Sequence, residues 1–162
     1  MPSVIADTSC IQYLYQINLL DLLPTLYGQI AIPIAVATEL AKGRSLGISL
    51  PDPVTLTWLA IAQVPSAQLI PTIPNLGMGE REVMSLSQAT SNSLAILDDG
   101  LARAYAKQLN ISFTGTLGIL LKAKQAGHIS TIKPLLNQLD ALGFRLDTTT
   151  RQSVLQIAGE TL

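Results

Sequence analysis

The sequence predicts an α/β domain with a short, mostly parallel sheet covered by helices on both faces. Two observations carry this expectation. Short apolar, β-rich runs (Ser3-Val4-Ile5-Ala6, Gln29-Ile30-Ala31-Ile32, Leu94-Ala95-Ile96-Leu97) alternate with longer segments of helical pattern. That alternation is the mark of parallel strands joined by crossover helices. The second is composition: 48% of the 162 residues are hydrophobic and only 13% are charged. A chain of this size and apolarity can build a core without disulfides or a structural metal, and it is not a disordered one.

The elements follow in order. Ser3 to Ala6 reads as a strand ending at Asp7-Thr8-Ser9, a helix-capping cluster. Cys10 to Gln16 and Leu19 to Leu26 read as helices, and Gln29 to Ile32 as the next strand. Pro33 stands where a helix can begin, because its missing N–H is not needed there, and the helix should stop at Gly43. Residues 43–53 form a loop, and Trp58 to Val64 a strand or short helix. Pro65 to Gly79, with three prolines and two glycines, reads as a linker or lid. Helix Glu80 to Thr90, strand Leu94 to Leu97, helix Gly100 to Leu109 and strand Ile111 to Phe113 come next. Helices Leu117 to Ala126, Ile132 to Leu142 and Thr148 to Ala158 complete the chain, with a short edge strand expected at Phe144 to Leu146. No repeat or low-complexity segment interrupts this order.

Several classes are excluded. The most apolar stretch, Leu19 to Leu40, is broken by Asp21, Pro24, Gly28, Pro33 and Glu39, so no membrane span is expected. No basic leader precedes Asp7, so no secretion signal is expected either, and a single cysteine suits a reducing cytoplasm. So small a share of charge on a chain of this size points to apolar surface buried against a second subunit. The net charge of −1 hides an asymmetry: residues 1–99 carry eight acids against three bases, residues 100–162 seven bases against three acids. An acidic half beside a basic half would suit a metal site next to a phosphate-binding surface, although halves of a sequence need not be faces of a fold.

In an open α/β sheet, ligands gather outside the carboxyl ends of the strands, near the point where strand order reverses. Asp7 follows the first strand directly, and Asp98-Asp99 follow Leu94 to Leu97. Capping explains one aspartate at such a place, but not both members of a pair. Glu39 lies in the nearly apolar Ile34-Ala35-Val36-Ala37-Thr38-Glu39-Leu40-Ala41, either at a site or on a thin solvated stripe with Thr38 and Lys42. Glu80 opens a helix, where its charge favours the dipole in any case; Glu82 reads as a solvated charge. Four carboxylates from separate segments, with no histidine or cysteine suited to ligation, point to a hard cation such as Mg²⁺ or Mn²⁺ rather than zinc. Phosphodiester hydrolysis is the chemistry such a cluster serves best. Arg103, Lys107, Lys122 and Lys124 follow the acidic strand end and are candidates to flank the groove and hold phosphates.

Taken together, these motifs resemble the PIN domain, a metal-dependent ribonuclease fold. Val4-Ile5-Ala6-Asp7-Thr8-Ser9 looks like its opening strand and aspartate, and Pro33 to Leu40 is similar to its second acidic motif. Leu76-Gly77-Met78-Gly79-Glu80 resembles the Gly-x-Gly-Glu entry to its third acid. Ala95 to Arg103, Phe113 to Leu120 and Leu142 to Leu146 resemble segments of its stand-alone prokaryotic subgroup, to which the toxin ribonucleases of the VapC type are related. The resemblance runs from residue 3 to about residue 160. It implies one PIN-like three-layer α/β/α domain over residues 1–162, with a core over about 3–128 and a helical C-terminal extension over about 129–162.

It also implies a catalytic set of Asp7, Glu39, Glu80, Asp98 and Asp99, with Mg²⁺ or Mn²⁺ on Asp7, Glu39, Glu80 and one of the aspartate pair. Asp99 aligns the better of the two. Thr8 and Ser9 would support the site by hydroxyl hydrogen bonds. Thr114 and Thr116 stand where many relatives carry a further acid, a departure that lowers the expected metal affinity. The function expected is hydrolysis of single-stranded RNA, with Arg103 and Lys107 on the RNA. The chain would act as a cytoplasmic homodimer. The resemblance also allows it the role of toxin in a pair whose small antitoxin protein blocks the groove. Two other functions stay open: a non-cleaving RNA-binding module with a vestigial acidic site, and a nucleotide-binding α/β domain. The last lacks both a Walker loop and a dinucleotide fingerprint.

Overall fold

A computed structural model of the chain describes residues 2–161. Five parallel strands, β1 (Ser3–Ala6), β2 (Ile30–Pro33), β3 (Leu59–Ala62), β4 (Ser93–Ile96) and β5 (Phe113–Thr114), form one sheet in the order β3-β2-β1-β4-β5. Among the described residues eight α-helices flank it: α1 (Thr8–Gln16), α2 (Leu22–Tyr27), α3 (Ile34–Ser45), α4 (Met78–Ala89), α5 (Gly100–Gln108), α6 (Thr116–Gln125), α7 (Lys133–Ala141) and α8 (Thr148–Ile157). The architecture is three-layer α/β/α. No helix among the described residues is long and apolar enough to cross a membrane.

The strand order locates the crevice. From central β1 the chain winds outward to β2 and β3, then returns across the sheet to β4 and β5. The reversal lies between β1 and β4, paired from Ser3–Ser93 to Ala6–Ile96, so the carboxyl ends of these strands open side by side. Central β1 is apolar and buried at Val4, Ile5 and Ala6, and α4 lies across β1, β2 and β4. Burial on both faces explains why these strands read as continuous apolar runs rather than alternating ones.

Four local expectations are corrected. Helix α3 runs through Gly43 to Ser45 rather than stopping there: Gly43 is not a left-handed cap but a close-packing position, where the Leu50 side chain fills the space that a Cβ would need. Residues 65–76 are not a free lid. Arg81 Nε donates to the Ile70 carbonyl at 2.8 Å, and the Ile70 N–H donates to Ser85 Oγ at 3.0 Å, which ties the segment to α4. Residues 144–146 form no strand. Instead the Phe144 N–H donates to the Leu139 carbonyl at 3.0 Å, and its ring meets Tyr13 edge-on with centroids 5.0 Å apart. Glu82 is not a solvated charge but accepts from the Ala35 N–H at 3.1 Å, satisfying an orphan donor in the first turn of α3.

The C-terminal helices are fastened by one carboxylate. Glu160 accepts from Lys124 Nζ at 2.8 Å and from the N–H groups of Ile132 at 2.7 Å and Lys133 at 2.9 Å. Desolvation pushes its pKa up, but Lys124 and the two N–H donors prevail and hold it down to about 2. Lys124 is therefore committed to structure, and Lys122 lies over the Tyr27 ring at 4.2 Å. Neither lysine flanks the acidic crevice.

Candidate active site

Asp7 is the first residue beyond β1, and its N–H donates to the Ile96 carbonyl of β4 at 3.2 Å. It occupies the N-cap position of α1, yet its side chain makes no capping hydrogen bond, and the residue is only 4% exposed. Capping therefore does not account for a carboxylate at this place. Burial pushes its pKa up to about 8. The Thr8 N–H opposes the shift, whereas the negative charges of Glu80, Glu39 and Asp98 add to it. Those three acids converge on Asp7 from α4, α3 and the turn after β4.

Each neighbour is held by the chain's own donors. Glu39 accepts from the Thr8 hydroxyl and, at 3.1 Å, from the Gly79 N–H at the start of α4. Gly79 lets the backbone come this close: a Cβ there would stand 2.7 and 2.8 Å from the two Glu39 oxygens and would push that carboxylate out of its present position. Glu80 accepts from the Gly77 N–H at 2.8 Å, the return half of a capping box, and its pKa is raised by burial and by the charges of Asp99 and Glu39. The Gly-x-Gly-Glu spacing thus does two things, turning one acid back on the helix start and bringing the backbone onto another.

The aspartate pair divides its work. Asp98 accepts from Ser9 Oγ at 2.8 Å, from Thr116 Oγ1 at 2.7 Å and from the Thr116 N–H at 2.7 Å. Asp99 caps α5, accepting from the Ala102 N–H at 3.0 Å, and its charge reaches Glu80. Of the pair, it is therefore Asp98 whose charge bears on Asp7, with Asp99 at the solvent edge. Gly115 gives Asp98 its room, since a Cβ at position 115 would lie 2.8 Å from Asp98 Oδ1 and would displace that carboxylate.

The supporting hydroxyls separate in the same way. Thr8, Ser9 and buried Thr116 all donate to site carboxylates. The Thr114 hydroxyl lies against Gly118 and orients none of them. Cys10 packs behind the site; burial and the charges of Asp98 and Asp7 push its thiol pKa up, so it stays a neutral hydrophobe.

Two cavities adjoin along the acidic edge. One, of about 300 Å³, is lined by Ser9, Tyr13, Glu80, Asp98, Asp99, Gly143, Phe144 and Arg145. The other, of about 350 Å³, includes Asp98, Arg103, Thr114, Gly115 and Arg145. Arg103 reaches this edge with its guanidinium 5.0 Å over the Phe113 ring, whereas Lys107, one turn along α5, is exposed and lines neither cavity. The sequence assigns neither Tyr13 nor Arg145 to the acidic site: Arg145 falls within Leu142 to Leu146, which resembles a segment of the stand-alone subgroup but carries no expected role, and Tyr13 is an aromatic in an ordinary helical segment.

Among the described residues the ion pairs are Arg44–Asp52 and Lys124–Glu160, so no cation is paired with any acid of the crevice. No group of three or more histidine, cysteine, aspartate or glutamate side chains there stands as a ready coordination cluster. The donors are nevertheless all carboxylate and hydroxyl oxygen around a buried acid whose neighbours share its charge. That chemistry fits a hard divalent cation. A family model, DUF3368, described as a PIN domain, matches residues 3–160. No curated protein matches the chain significantly.

Proposed function

The chain belongs to the PIN-domain family, a nuclease-type fold whose members typically use divalent metal ions, and from that premise we propose that it hydrolyses phosphodiester bonds in single-stranded RNA. The observation that carries this reading is Asp7, a buried acid without a capping role, raised to about 8 by its burial and by three acids that no cation offsets. Asp7, Glu39, Glu80 and Asp98 would hold Mg²⁺ or Mn²⁺, with Asp99 the alternative to Asp98. Bound there, the cation offsets charge on the phosphate and makes water acidic enough to attack near neutral pH.

The chain's own residues do the rest. Thr8 and Gly79 hold Glu39 at a fixed orientation, and Ser9 with Thr116 does the same for Asp98, so neither carboxylate needs reorganising when substrate arrives. Thr114 and Thr116 stand where many relatives of the family have a further acid, and the Thr116 hydroxyl serves as a clamp on Asp98 rather than as a ligand. Arg103 faces the approaching phosphodiester.

The test is cleavage of a mixed single-stranded RNA pool. Wild-type protein should cut it with Mg²⁺ or Mn²⁺ and stop when EDTA is added, and Mn²⁺ should raise the melting temperature in calorimetry. Binding without cutting across metals and substrates would establish the non-cleaving module instead, a reading favoured by threonines 114 and 116 standing where a further acid is expected.

The proposal extends to a cytoplasmic homodimer acting as the toxin of a pair, with a small antitoxin protein over the groove. The dimer is supported by the low charge content and by exposed apolar side chains such as Leu46, Val54 and Ile157, which are 70%, 78% and 64% exposed. Analytical ultracentrifugation over a range of concentrations should show a mass of two chains; a single-chain mass throughout would remove the dimer.

A further inference from the structure

Arg145 belongs to no helix or strand. It leaves the end of α7 just after Gly143, whose φ of +89° turns the chain, and just before Leu146 and the start of α8. Its neighbour Phe144 is buried against Tyr13, so the backbone is anchored one residue from the guanidinium. The side chain itself is exposed and makes no hydrogen bond or ion pair among the described residues. Yet it lines both cavities of the acidic edge, the one holding Glu80, Asp98 and Asp99 and the one holding Arg103. Both aspartates lining the Arg103 cavity are already engaged: Asp98 accepts from Ser9 and Thr116, and Asp147 accepts from the Thr150 N–H at 2.7 Å.

An exposed cation that is bound to nothing else among the described residues and lies at the meeting point of two cavities is available to an anion from outside. We propose that Arg145 and Arg103 together form the subsite for the RNA phosphate next to the scissile one, with Arg145 bridging the two cavities. The inference rests on the nuclease reading of the acidic crevice and deepens it. The carboxylates repel an incoming polyanion, and two guanidiniums at the rim offset that repulsion without entering the cluster. Arginine suits the task better than lysine, since its planar fork can hold two phosphate oxygens at once.

The experiment measures binding of a fluorescein-labelled single-stranded RNA to the full chain in EDTA, by anisotropy across a salt series, followed by cleavage kinetics in Mn²⁺. Arg145→Ala should weaken binding about tenfold at low salt. It should also shallow the plot of log affinity against log salt by about 0.7, the slope that one neutralised phosphate gives on a single strand. Arg145→Lys should restore the slope but only part of the affinity. In cleavage, KM should rise while kcat stays within about twofold, because the scissile chemistry is untouched. The Mn²⁺-induced melting shift should equal that of wild type. Unchanged affinity and slope in Arg145→Ala, with wild type still binding and cutting RNA, would overturn the subsite and leave the nuclease standing. If wild type itself binds no RNA, both readings fall.

Discussion

Asp7→Asn should lower the rate of RNA cleavage by at least about a hundredfold while leaving the fold intact. Asparagine keeps the shape of the side chain at the end of β1, and no capping hydrogen bond is sacrificed because Asp7 makes none. What disappears is the negative charge at the one position that Glu39, Glu80 and Asp98 all face. A carboxylate that helps hold the cation and orient the attacking water supplies several kcal/mol toward the barrier, and each 1.4 kcal/mol is about tenfold in rate. The cation should bind more weakly as well, so Mn²⁺ should raise the melting temperature of the variant far less than that of wild type. Cleavage and calorimetry on both proteins, with circular dichroism to confirm folding, decide the matter. A variant that cuts as fast as wild type would locate the activity elsewhere.

Much of this arrangement is legible in the sequence because it is local. Strands β1, β2 and β4 announce themselves as apolar runs, and the acids after β1 and β4 fall at strand ends that any parallel sheet would present to a ligand. Asp7 is ambiguous in one dimension, since a capping aspartate and a site aspartate look alike there, and only the absence of a capping bond separates them. The features that the sequence hides share a cause: their determinants lie elsewhere along the chain. Gly43 reads as a stop because glycine costs about 1 kcal/mol in a helix, but its reason is the Leu50 side chain, seven residues on, which occupies the space of a Cβ. Glu82 looks solvated until α3 supplies the Ala35 N–H, 47 residues earlier. Lys124 looks like a groove cation until Glu160 claims it, and Phe144 to Leu146 has strand composition but its Phe144 N–H is taken by the Leu139 carbonyl of α7 instead of a sheet edge. Gly79 and Gly115 carry the clearest lesson. Their reason is the approach of the backbone to Glu39 and Asp98, partners 40 and 17 residues away, so the Gly-x-Gly-Glu pattern marks Gly79 without saying which acid it makes room for.

Without metal, folding stability should peak in mild acid, at about pH 4 to 5, and fall on both sides for separable reasons. On the alkaline side the chief group is Asp7, whose pKa of about 8 in the folded chain lies well above the ordinary 3.8, with Glu80 raised in the same direction. The folded state then binds a proton that the unfolded state releases, so the stabilisation present below about pH 4 is lost as pH rises through 8. The slope on this limb is at most about 1.4 kcal/mol per pH unit for one proton. On the acid side the group is Glu160, whose pKa of about 2 lies below the ordinary 4.5. Its contribution, present above pH 4.5, disappears as pH falls toward 2 and the grip on Lys124 and the start of α7 is released. Urea unfolding in EDTA from about pH 3 to about pH 9 should trace both limbs. Asp7→Asn should make the alkaline limb shallower, leaving the part due to Glu80, and Glu160→Gln should do the same to the acid limb, leaving the part due to Asp147. Mn²⁺ should stabilise wild type more at about pH 8 than at about pH 6, because cation and proton compete for the same buried carboxylate. A stability profile level between about pH 5 and pH 8 in EDTA would mean that Asp7 is ionised without metal, and that neither its burial nor the acids around it raise its pKa.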